Sequence, residues 1–306
     1  MPIHTWRVDD LATIGAMPAR QPSPTLRLRR LAAELRRLRA EAGMTREDVF
    51  ERTSINGATL YRIETVRARP QIRTLFALLD LYGVTEPDRS DLVALARRST
   101  EQSWLRSFPS DLPDSYALYI GFEGEARSIL NYEGLFLPGL LQTEDYARAA
   151  AERCLLGSTK EEIRRQVETR VGRQAVFVRE KPLQLWAIVD EAALRRPVGG
   201  RDVMRAQLAH LVASAEQAHV TLQVLPYDVG VHPGMGGAFA VLQFDETAAN
   251  DVIYIENQAS DLFLESETDV HRFTAIFEHL RALALPPERS VSLITGVARD
   301  MRGTAE

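Results

Sequence analysis

Between Thr45 and Pro70 the chain reads TREDVFERTSINGATLYRIETVRARP, and no other stretch limits its own folding as tightly. Thr45 has a hydroxyl that can accept from an orphan amide, and Asp48 stands three residues on, the place of the capping-box acid. The pair predicts a helix opening near Arg46. Thr53 and Ser54 end it. Asn56 then offers a second N-cap, and Leu60 and Ile63 behind it are spaced for one buried face. Two short helices at nearly right angles follow, and the second turns Gly57, Ala58, Thr59, Tyr61, Arg62 and Thr65 outward. Small and polar residues at a helix start suit a groove.

The flanking sequence supplies a core for this pair. Leu28, Leu31, Leu35, Leu38 and Ala42 recur at three- and four-residue steps on a helix that ends at Gly43, while Arg29, Arg30, Arg36, Arg37 and Arg39 occupy its other face. After Pro70, an entry residue, Ile72, Leu75, Phe76, Leu79 and Tyr82 form another amphipathic helix, stopped at Gly83. Pro87 opens a fifth through Leu92, Leu95 and Ala96. From Leu28 to Val84 the chain resembles the Xre-type helix-turn-helix, the phage-repressor-like family, with the pattern carried by Thr45, Arg46, Glu47, Asn56, Thr59, Arg62, Ile63 and Glu64. The resemblance implies that the second helix enters the major groove of double-stranded DNA. Ala58, Thr59, Tyr61 and Arg62 would then face bases, and Arg46, Asn56, Arg67 and Arg69 phosphates. Three residues depart from the pattern. Phe50 stands where a small alanine is usual and is expected to push the helices apart, Gly57 replaces a longer reader, and Val66 replaces a turn glycine. The bland alternative is a helical hairpin that never meets DNA.

Charge sharpens the division of the chain. The formal net charge is -5, yet 15 arginines face 10 acidic residues between Leu26 and Arg98, while 20 basic residues oppose 30 acidic ones from Ser99 onward. A basic head on an acidic body is the balance expected if only the head meets a polyanion, since phosphate contacts release counterions and the body is repelled. A length of 306 residues accommodates two domains. The lone cysteine, Cys154, has no internal disulfide partner and is expected to pack inside a helix. No apolar stretch reaches the length of a membrane span or a leader's core, so the cytoplasm is the expected compartment.

The expected organisation is multidomain: an extended or disordered arm over 1–25, an all-α five-helix Xre-like DNA-binding domain over 26–98, a linker over 99–113, and a larger α+β or α/β domain over 114–306. Trp104 and Phe108 in the linker are expected to dock on one of the domains. In the second domain, helical patterns come first, at Gly121 to Tyr132, Thr143 to Leu155 and Lys160 to Gln174. Strand-like runs then appear at Leu183 to Val189, Val220 to Leu225, Ala238 to Phe244 and Val252 to Glu256. A helix at Asp202 to Gln217 separates the first two, and Thr268 to Leu285 reads as the closing helix. Strands separated by helices and then adjacent strands point to a mixed sheet with a mostly antiparallel end.

Glu133 to Ala149, EGLFLPGLLQTEDYARA, is distinctive because Pro138 and Gly139 break an apolar run before Thr143 caps a helix. Its Leu140, Leu141, Gln142 and Tyr146 form either an exposed loop that binds a ligand or partner, or a buried connection. Taken with Glu123, Ala126, Arg170, Arg173, Gln174, the run DEAALRR at Asp190 to Arg196 and LQVLP at Leu222 to Pro226, this domain resembles the uncharacterised one that follows the helix-turn-helix in actinobacterial antitoxin-like regulators. That resemblance covers about Trp104 to Leu285. It implies a transcription regulator paired with a small partner protein, encoded by an adjacent gene, and brings no catalytic residues.

Enzymatic signals are missing. The six histidines, His4, His210, His219, His232, His271 and His279, make no metal pair at i, i+4 and no HExxH. His232 lies in VGVHPGMGGAF, a glycine-rich loop between two strands, read as a mobile surface loop that can shape a pocket near Asp228. No helix follows it to cradle a phosphate, no GxSxG occurs, and Asp190 with Glu191 reads as a helix start. The chain is therefore expected to be a non-enzymatic regulator needing no cofactor and no metal. A homodimer is expected, because one head makes few base contacts and two-fold association is the usual remedy. The body is expected to hold the dimer contact and to sense a protein partner or ligand. An antitoxin-like interaction protein, with DNA binding serving autoregulation, is the alternative.

Overall fold

The structure, a computed structural model, describes residues 26–98, 114–244, 251–257 and 261–301. The expected arm, the expected linker and its two aromatic residues lie outside the described residues.

The head holds α1 (Leu26–Glu41), α2 (Arg46–Thr53), α3 (Gly57–Glu64), α4 (Ile72–Leu81) and α5 (Asp88–Arg98). Local chemistry sets its helix starts. Thr45 Oγ1 accepts from the Asp48 amide at 3.1 Å while Asp48 Oδ2 accepts from the Thr45 amide at 2.8 Å, and Asn56 Oδ1 accepts from the Ala58 amide at 2.8 Å. Leu31 and Leu35 of α1, Val49 of α2, Leu60 and Ile63 of α3 and Leu75, Leu78 and Leu79 of α4 form one core, closed by Leu92 of α5. Phe50 is half exposed, so it does not wedge α2 from α3 as expected. Its side chain points to solvent because Val49, one position earlier, takes the inward place.

The body carries α6 (Asp114–Glu125), β1 (Ser128–Glu133), α7 (Glu144–Cys154), α8 (Lys160–Gly172), β2 (Gln184–Asp190), α9 (Glu191–Arg195), α10 (Arg201–Ser214) and β3 (Val220–Leu225). It continues through β4 (Phe239–Gln243), β5 (Val252–Ile255), β6 (Leu262–Leu264), α11 (Glu267–Leu283) and α12 (Pro287–Asp300). The six strands form one mixed sheet in the order β3-β2-β1-β4-β5-β6. The β1, β2 and β3 strands run parallel, and β4, β5 and β6 continue antiparallel. Helical crossovers explain the parallel half and short returns the antiparallel half.

Three expectations change here. Gly121 to Tyr132, expected as a helix, is the end of α6 followed by β1 at the centre of the sheet. Ile129 lies between Leu185 and Leu242, and Tyr132 between Ile188 and Phe239, so pairing on both sides overrides a local pattern that reads equally as helix. The β6 strand was not expected, and α12 follows α11, which was expected to close the chain. Helix α12 packs Ile294 and Val297 into the main core, and the turn before it seals the β3 edge. Leu285 donates its amide to the Val224 carbonyl, and the Val224 amide donates to Ser290 Oγ, each at 2.9 Å.

The sheet is packed on both faces. One face lies under Ile120 and Phe122 of α6, Tyr146 of α7, Met204, Leu208 and Leu211 of α10, and α12. The other meets α11, where Phe277 and Leu280 cover Tyr132, Ile188, Phe239, Val241 and Ile253. A buried ion pair crosses the first layer. Arg173 donates to both carboxylate oxygens of Glu123, at 2.7 and 2.6 Å, and to the Tyr116 hydroxyl at 2.9 Å. Among the described residues no helix is long and apolar enough to cross a membrane.

Candidate functional site

The outward face of α3 is open. Asn56, Ala58, Tyr61, Arg62, Arg67 and Arg69 are exposed and Thr59 is half-buried, so seven of the eight expected DNA-facing residues are accessible. Leu60, Ile63 and Glu64 turn inward. Arg52 and Arg73 add exposed cations, opposed by Glu47 and Glu51.

Arg46, the eighth, is placed differently. Its Nε donates to Glu64 Oε2 at 3.0 Å, and its guanidinium lies over the Tyr61 ring, 5.2 Å from the centroid. Arg39 of α1 donates to the same carboxylate at 2.6 and 3.1 Å and to the Met44 carbonyl at 2.9 Å. Glu64 is thus buried but bonded from two helices, which ties α1, α2 and α3 together. Arg67 lies 5.6 Å from the same Tyr61 ring. Sequence reading put Arg39 on the outer face of the first helix and used Glu64 only as part of the family pattern. The signal was Glu64 itself, an acid on the apolar stripe of Leu60 and Ile63 opposite an arginine-rich helix.

In the body the Leu-Pro-Gly-Leu-Leu segment is a buried connection. Of the two alternatives, the exposed binding loop is ruled out as a correction: Leu140, Leu141, Gln142 and Tyr146 are buried. Gln207 holds the backbone from both sides, accepting from the Thr143 amide at 2.6 Å and donating to the Leu141 carbonyl at 2.7 Å. Gln142 donates to the Leu137 carbonyl at 2.7 Å, and Tyr146 accepts from the Leu137 amide at 3.3 Å. A turn this apolar stays inside because side-chain amides satisfy its backbone. Cys154, expected inside, is exposed at the end of α7.

His232 is not on a free loop either. Its side chain is only 6% exposed, with Nε2 at 3.3 Å from Asp190 Oδ2 and Nδ1 buried without a partner among the described residues. Asp190 ends β2 and caps α9 through the Ala192 amide at 2.8 Å, the helix start read from DEAALRR. Gly234 presses on the Tyr132 ring so closely that a Cβ there would lie 2.5 Å from Cζ. The loop is therefore anchored across the carboxyl ends of β1 and β2, while Leu135, Phe136, Tyr227, Val231 and Met235 around it stay exposed. At the end of β1, burial pushes the Glu133 carboxyl up to about 8, against the Asn131 amide that hydrogen-bonds it. Asp228 is exposed. Among the described residues no group of three or more His, Cys, Asp or Glu is placed to hold a metal ion.

Comparison with known families matches this division. A helix-turn-helix domain model matches residues 30–92, which marks the head as a module of the DNA-binding class. The larger part gives the family: the chain belongs to the one described as a domain of unknown function (DUF5753), whose model matches residues 116–296. Comparisons with curated proteins and with solved structures give no match.

Proposed function

We propose that the protein is a sequence-specific DNA-binding transcription regulator of the Xre type, acting in the cytoplasm as a homodimer. The observation that carries this reading is the open α3 face, with Ala58, Thr59, Tyr61 and Arg62 accessible on a head whose arginines outnumber its acids. Helix α3 enters the major groove, Asn56, Arg67 and Arg69 lie along phosphates, and the two heads read half-sites about 34 Å apart or a multiple of it. The body acts without catalysis, cofactor or metal. It senses a ligand or protein partner and changes the affinity or spacing of the heads.

A second reading has a specific support. The body is acidic, and Leu135, Phe136, Val231 and Met235 are exposed around the ends of β1 and β4. A small basic protein encoded by an adjacent gene fits that surface, which makes the chain antitoxin-like, with DNA binding serving autoregulation.

Selection from a random-sequence duplex library with the purified full chain tests the first reading, and genomic footprinting with and without the neighbour-encoded protein tests the second. Enrichment of a two-fold motif is expected. Uniform, salt-sensitive retention of every duplex would count against sequence-specific regulation.

A further inference from the structure

Helix α3 has few side chains long enough to read a base. Gly57, Ala58 and Thr59 are short, which leaves Tyr61 and Arg62 as its long exposed groups. Their supports differ. Tyr61 is 39% exposed and its ring is flanked by the guanidinium groups of Arg46 and Arg67, at 5.2 and 5.6 Å. Arg46 is itself held by Glu64, whose side chain is inaccessible to solvent and which Arg39 grips from α1. The series Arg39, Glu64, Arg46, Tyr61 runs from the head's interior to its surface, so an exposed aromatic ring is linked to a buried carboxylate. Cation–π contact favours guanidinium over the ring, and a fork already bonded to a buried carboxylate keeps little freedom to follow a phosphate.

Resting on the DNA-binding reading above, we propose that Tyr61 is the specificity-determining residue of the head, taking the C5-methyl group of a thymine against its ring in the major groove. Arg46 is its positioning residue and not a phosphate contact. One neighbour suits that partner: the Ala58 methyl group lies one turn earlier on the helix and is also exposed, and the thymine methyl is the one apolar feature a base pair shows in the major groove. With the two arginines beside it, the ring keeps 39% of its residue's surface open to a base.

The test uses the full chain and the duplex enriched from the random library, with each thymine replaced in turn by deoxyuridine, which lacks the methyl. For the unmodified protein, one position per half-site is expected to lose about fourfold in affinity, the value of one buried methyl group. Tyr61→Ala and Tyr61→Gln should abolish that penalty, and Tyr61→Phe should keep it. Arg46→Gln should shrink the penalty while leaving the slope of log affinity against log salt unchanged. Loss of a phosphate contact would flatten that slope by about 0.9. Thermal melts matching the parent would show that the variants fold, as expected because Tyr61 is surface-exposed and Glu64 keeps Arg39. A full-size penalty in both Tyr61→Ala and Tyr61→Gln, or an enriched site without thymine, overturns the assignment of Tyr61. A flattened slope with the penalty intact in Arg46→Gln overturns that of Arg46. Failure of the unmodified chain to enrich any sequence removes the DNA reading itself, a distinct result.

Discussion

Val66 has a φ of 60°, in the left-handed region that β-branched residues avoid, where α3 hands over to the next segment. The surrounding bonds impose it: the Arg67 and Ala68 amides both reach back to the Arg62 carbonyl, at 2.7 and 3.0 Å. Such strain costs on the order of 1–3 kcal/mol, and glycine returns about 0.5–1 kcal/mol of it as extra freedom in the unfolded chain. Val66→Gly is therefore expected to stabilise the protein by about 1 kcal/mol, read as a raised urea midpoint with an unchanged m-value. Glu64 works in the opposite sense. Its removal leaves the largely buried Arg39 without its carboxylate, and Glu64→Ala should cost about 2 kcal/mol, less than the 3–5 kcal/mol of a fully buried pair because Arg46 is already partly in water. On the DNA side, Arg62→Ala should cost about 1–3 kcal/mol on the enriched duplex if it reads a base. Arg67→Ala should weaken all duplexes alike and flatten the salt slope by about one unit.

The β1 strand gathers the body's polar chemistry at its carboxyl end, and the elements that meet there depend on one another. Tyr132 fills the space between the loop that holds Gly234 and the strand pair at Phe239, so Gly234→Ala requires a buried ring to move. A loss of about 1–3 kcal/mol is expected by thermal or urea melting, the usual cost of overpacking. One position further on, Glu133 makes stability depend on pH. Its folded carboxyl is pushed up to about 8 while the unfolded one stays near 4.5, so between those values the folded state holds a proton that the unfolded state has lost. Stability from this group is present below about 4.5 and is lost as the pH rises through about 8. Because the side chain keeps some contact with water, about 2 kcal/mol is expected rather than the full shift. Glu133→Gln should flatten the fall in melting temperature over that range. A parallel fall in both proteins would show that other groups cause it.

At the scale of the molecule, the head and the body differ in the sign of their net charge. Arg29 of α1 donates to Glu265, the residue beyond β6, at 2.8 Å, a pair worth no more than about 1 kcal/mol, and its guanidinium also lies 5.9 Å from the ring centroid of the buried Phe122 of α6. If two heads act together, five base pairs inserted between half-sites rotate one of them by half a helical turn, and about ten restore it. Affinity on the enriched duplex should fall and recover in that order, and sedimentation should give the mass of a dimer. A monomer with spacing-independent binding would exclude the two-headed arrangement.

The helix starts of the head were legible because a cap is made by residues two or three apart, Thr45 with Asp48 and Asn56 with Ala58, and because the stripe of Leu60 and Ile63 turns Tyr61 and Arg62 outward. The same holds for the β2 to α9 corner, where Asp190 caps its own helix. Whatever depends on a distant partner was decided only by the tertiary structure. Ile129 to Tyr132 became a central strand because β2 and β4 flank it, and the Leu-Pro-Gly-Leu-Leu segment went inside because Gln207 supplies its hydrogen bonds. Arg46 is bonded to Glu64, and His232 is turned from solvent to Asp190. Spacing along a chain records which residues share a turn or a face; it carries no record of which far-off side chain will satisfy a buried charge or amide.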